Sequence, residues 1–149
     1  MRNLIYELIS NDILWTAVLS WFIAQLIKFS IALFRNRKPD IYMFISTGGM
    51  PSSHTSFVAA MTTAIGVKEG FQSTAFAISA VVSIIVMTDA AGLRRAAGKQ
   101  AAVINMIVES LENQNIQFDK KLKELLGHTP VEVAAGVLLG VIVGLTVQI

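Results

Sequence analysis

The chain contains no cysteine, which excludes disulfides and thiolate metal sites. Only 15% of its 149 residues are charged, aromatics make up 8%, and there are three prolines and two histidines. So little charge, with 54% hydrophobic residues and a mean hydropathy of +0.61, argues against an ordinary soluble domain and for a membrane protein. A net charge of +2 gives no ground for a nucleic-acid partner. No low-complexity tract is present, and no small-residue cleavage site clearly follows the first apolar run, so no cleavable signal is expected. The length suits one domain, residues 1–149.

What is present is a series of apolar segments. Residues 1–11 place Leu4, Ile5, Leu8 and Ile9 on one helical face, as expected of an interfacial helix. Residues 13–34 are long enough to cross a bilayer core of roughly 30 Å at about 1.5 Å per residue, and Trp15 and Trp21 suit a headgroup region, although Trp21 is rather deep for it. Residues 35–52 form a polar loop in which Pro39 and Pro51 oppose a continuous helix. Residues 53–67 are apolar but short, so this segment is tilted, shielded by neighbours, extended by snorkelling of Lys68, or re-entrant. A turn at Gly70 leads to a third span at 72–93. Residues 94–130 return to polar character, with an amphipathic helix at 100–112. The last span, 131–149, carries Gly136, Gly140 and Gly144 on one face, suited to close helix contact.

The expected fold is therefore all-α: an integral membrane bundle of about four transmembrane helices with amphipathic interfacial helices. Nine of the twelve Lys and Arg lie in the two polar loops. The positive-inside rule puts those loops in the cytoplasm of a bacterial cell and both termini outside.

The two histidines open apolar segments on the loop side. Gly48-Gly49-Met50-Pro51-Ser52-Ser53-His54 is a small-residue loop at a helix start, where free amides and hydroxyls favour an anion. Gly127-His128-Thr129-Pro130 resembles it loosely, and Glu132 follows His128 by four residues, on the same helical face. Phosphoryl transfer without a metal needs cations, a nucleophile and an acid, and histidine can serve as either of the last two. The two imidazoles are expected to meet over one phosphate. Simpler roles are open as well: helix capping for His128 and Glu132, snorkelling for Lys28, topology determination for Arg35, and an ion pair of Asp89 with Arg94 or Arg95.

Pro51-Ser52-Ser53-His54 resembles the middle signature of the type 2 phosphatidic acid phosphatase superfamily, which also holds acid phosphatases and vanadium-dependent haloperoxidases. Lys28 and Arg35 have the spacing of its first signature, with Asn36 where a proline is usual. His128 and Glu132 resemble the end of its third. Together with Gly48-Gly49-Met50 and residues 89–100, the chain looks like the small, divergent branch of that superfamily over roughly residues 20–145. The resemblance implies a phosphatase that needs no metal or other cofactor and works through a phosphohistidine. In it His128 is the nucleophile, Glu132 its orienting partner and His54 the general acid. Lys28, Arg35 and Ser53 bind phosphate beside Ser52. Leu122 stands where the superfamily has an arginine, so Arg94, Arg95 or a neighbouring lysine is expected to substitute. The implied substrate is a phospholipid or polyprenyl phosphate drawn from the bilayer, and a homodimer is a candidate assembly because the superfamily core has more helices. The alternatives are a non-catalytic scaffold that binds anionic lipid, and a small transporter with Lys28 and Asp89 lining a path.

Overall fold

A computed structural model describes residues 3–36, 49–112 and 127–148, with the side chains of residues 35, 36, 93–95, 111, 112 and 148 outside the described set. Helix is the regular structure of the described residues. It comprises α1 (Leu4–Ile9), α2 (Asp12–Asn36), α3 (Ser53–Glu69), α4 (Thr74–Thr88), α5 (Arg94–Glu112) and α6 (Pro130–Gln148), with a π turn at Asp89–Leu93. Local chemistry sets the starts. Asn11 accepts the Leu14 amide ahead of α2 (3.0 Å), Ser52 accepts that of Thr55 (3.4 Å), and Ser73 accepts that of Phe76 (3.1 Å), each satisfying a donor that a helix start leaves free. Gly70 ends α3 at φ +90°, in the turn expected of it.

Among the described residues three helices are long and apolar enough to cross a membrane: Asp12–Phe34, the continuous stretch Thr74–Ser110, and Pro130–Val147. α3 has 17 residues, about 25 Å at 1.5 Å per residue, short of a bilayer core of roughly 30 Å. Shielding accounts for it, since α3 packs against α2, α4 and α6.

The packing is polar and small inside, apolar outside. Thr16, Ser20, Gln25, Lys28, Ser52, Ser53, Thr55, Ser56, Ser79 and Ser83 are buried, while Phe22, Ile31, Ile78, Ile84, Ile85 and Leu138 are exposed. This suits a lipid solvent, where apolar burial gives no drive and close approach plus interhelical hydrogen bonds hold helices together. Ser20 and Ser56 hydroxyls lie 2.6 Å apart between α2 and α3, and Thr62 and Ser83 2.8 Å apart between α3 and α4. The glycine face of α6 lies on α3. A Cβ at Gly136 or Gly140 would sit 2.6 Å from the Ser52 carbonyl oxygen or 2.5 Å from that of Ser56, and one at Gly144 2.6 Å from Thr63 Cβ.

Two contacts fix the ends. Lys68 on α3 pairs with Asp12 on α2 at 2.7 Å, and at the other end Lys28 on α2 reaches Ser53 on α3 at 3.2 Å. α2 and α3 are thus antiparallel, and the Ser52 amide ties the start of α3 to Glu132 at the start of α6. α4 does not stop at 93 as its apolar pattern suggests. It passes through the π turn into α5, which begins at Arg94 rather than residue 100, because Ala-Ala-Gly-Leu-Arg-Arg-Ala-Ala holds four alanines and no proline to halt it.

Candidate phosphate site

The starts of α3 and α6 meet at one end of the bundle. Gly49, at φ +94°, lies against the stem of Lys28, with room for a Cβ only at 3.4 Å from Lys28 Cγ and Cδ. The cis Met50–Pro51 peptide leads into Ser52, whose amide donates to the Glu132 carbonyl at 3.0 Å. At α6, Thr129, Pro130 and Glu132 form a capping box. The Glu132 amide donates to the Thr129 hydroxyl at 3.3 Å and the Thr129 amide to Glu132 Oε2 at 3.0 Å, with proline in the first helical position. The same Oε2 lies 3.1 Å from His128 Nδ1. An ionised Glu132 makes Nδ1 the protonated nitrogen and leaves the ring's lone pair on Nε2. The His128 amide donates to the Ala90 carbonyl at 2.9 Å. That carbonyl belongs to the π turn, where the ordinary helical hydrogen-bond ladder is interrupted.

Lys28 does not snorkel outward. It is 7% exposed and its ammonium donates to Ser53. Lys28, Ser52, Ser53, Glu132 and His128 are therefore joined through contacts at one bundle end, and the His128 side chain is 1% exposed.

His54 is placed differently. One residue after Ser53, it projects about 100° further around α3. It is exposed and borders a cavity of about 330 Å³ with Trp21, Phe57, Val58 and Val86. Trp21, read from sequence as a headgroup-belt residue, is a wall of this cavity; its depth in the span was the only sequence signal. The Ala90 carbonyl had none. The side chains of Arg35, Arg94 and Arg95, residues 46 and 122, and the expected pairing of Asp89 with either arginine lie outside the described set. Among the described residues no group of three or more His, Asp or Glu side chains is placed to hold a metal ion.

A family model described as the Divergent PAP2 family matches residues 9–143. The chain is also 42% identical, over 93% of its own length and 95% of the relative's, to the membrane protein YuiD of Bacillus subtilis (strain 168), whose description calls it uncharacterized. No solved structure matches.

Proposed function

The chain belongs to the Divergent PAP2 family, and from that premise we propose that it is a membrane phosphatase acting on a lipid or isoprenoid phosphate through a phosphohistidine. The observation that carries this reading is the His128–Glu132 pair at 3.1 Å, linked through Ser52 and Ser53 to a buried lysine ammonium. His128 Nε2 attacks phosphorus and the bond to the leaving oxygen breaks, with His54 supplying the proton that oxygen needs. Water then cleaves the phosphorus–nitrogen bond, gives its proton to His54, and phosphate departs. Lys28 and the Ser53 hydroxyl offset the charge on the phosphoryl oxygens. Arg35, Arg94 and Arg95 are candidates for the rest of that charge. The lysine and arginine distribution supports a site facing the cytoplasm.

A second reading is a non-catalytic binder of anionic lipid. In its favour, the His128 ring is almost fully buried and Glu132 is engaged as a capping carboxylate.

Phosphate release separates the two. Purified protein in detergent is given phosphatidic acid, phosphatidylglycerol phosphate and polyprenyl phosphates with a chelator present. Turnover that His128→Ala abolishes supports the phosphatase. Binding with no turnover on any substrate supports the binder.

A further inference from the structure

α3 is enclosed on most of its circumference, and the remainder forms one stripe. From Ser53 to Gly66 the residues that are not buried are His54, Phe57, Met61, Thr62, Thr63 and Ile65. Thr62 is turned to Ser83 of α4 and Thr63 to Gly144 of α6. His54, Phe57, Met61, Ile65 and, one turn on, the exposed Lys68 remain. At 3.6 residues per turn these five fall within about 80° of one face, along roughly 21 Å of helix. The stripe is apolar between two ionisable ends. The cavity beside His54, walled by Trp21 of α2 and Val86 of α4, opens at its head.

We infer that this stripe seats the hydrocarbon chain of a phosphate ester whose phosphoryl group lies on the Lys28–Ser53–His128 side of α3. The inference rests on the phosphatase reading and adds to it where the leaving group goes. An acid must touch the leaving oxygen, and in a chain-bearing phosphate the chain is bonded to that oxygen. The chain must therefore run away from His54, and the surface running away from His54 is Phe57, Met61 and Ile65. That surface is continuous with the candidate site at His54. Its occupant is thus an alkyl or prenyl chain linked directly to phosphate; a sugar phosphate or free phosphate would leave it empty.

The two tryptophans supply the test. In a Trp15→Phe background Trp21 is the sole indole. The full-length protein in detergent is titrated with a long-chain alkyl phosphonate brominated in mid-chain, whose carbon–phosphorus bond is not hydrolysed. The expected result is saturable quenching of Trp21, reversed by the unbrominated phosphonate. Half-saturation should rise about tenfold or more when Val86→Phe fills the cavity, or Met61→Phe the stripe. It should not change for Ile85→Phe on the exposed side of α4. Quenching that grows linearly with probe, or is equal in all three variants, overturns the proposal. So does an unquenched Trp21 in a dimer that Val86→Phe dissociates, since a second copy would then cover the stripe. Saturable quenching without phosphate release from any lipid phosphate would leave the chain seat standing and remove the phosphatase.

Discussion

At the residue scale the informative side chain is Lys28. A lysine near the end of an apolar helix ordinarily sends its ammonium to the nearer headgroups. Here it turns into the bundle and donates to Ser53, so its amino group stands at the α3 start. A compact cation there suits a phosphoryl oxygen. Lys28→Met should weaken substrate binding, seen as a raised KM for phosphate release, while leaving the helical circular dichroism intact. Glu132 has two roles that a substitution can separate. Glu132→Gln keeps the capping geometry but loses the charge that holds a proton on Nδ1, so kcat should fall while thermal stability changes by no more than about 1 kcal/mol. The candidate His128 and Glu132 were legible because a histidine and a carboxylate at i, i+4 beside a Thr-Pro helix start are a local pattern. The inward turn of Lys28 was not, because snorkelling and burial look alike in sequence and only the approach of Gly49 and Ser53 decides between them.

At the element scale α3 and α6 form the tightest pair. The four-residue glycine repeat announced a packing face, and the structure supplies its partner: the Ser52, Thr55, Ser56, Ala59, Ala60 and Thr63 side of α3. Gly140→Ala would press a methyl group against the Ser56 carbonyl and should destabilise the protein by about 1–3 kcal/mol, read as an earlier midpoint in thermal unfolding in detergent. Gly92→Ala meets nothing within 4 Å and should be neutral or stabilising by up to about 1 kcal/mol. Equal effects at the two glycines would contradict the packing described. The starts of α3 and α6 were readable from the small-residue loop before His54 and from Gly-His-Thr-Pro. The central place of α3 was not, since its alanines, serines and threonines read as a weak span. Those same small side chains let three helices approach it closely. The π turn was hidden too, because an alanine-rich run favours helix and says nothing of a single wider turn.

At the scale of the whole molecule, the membrane class followed from composition alone, and the exposed apolar exterior around a core of serines, threonines and small residues agrees with it. The end of α2 and the starts of α3 and α6 meet at the Ser53 end, and nine of the twelve lysines and arginines fall within residues 35–52 and 94–130. The positive-inside rule then predicts that a thiol introduced by Ser46→Cys reacts with an impermeant reagent only from the cytoplasmic side. Labelling from outside would invert the proposed orientation. The exposure of His54 beside Trp21 and Val86 and the burial of His128 at the α6 start could not be read from sequence, because each depends on which neighbours cover that helix.

The most direct test lies in the chemistry of one nitrogen. Protein turning over a radiolabelled lipid phosphate is quenched rapidly in base and digested, and the labelled peptide is identified by mass spectrometry. If His128 is the nucleophile, a base-stable, acid-labile phosphoryl group is found on it and is absent in His128→Ala. Sustained phosphate release with no adduct, or with the adduct on another residue, would show that His128 is not the attacking group.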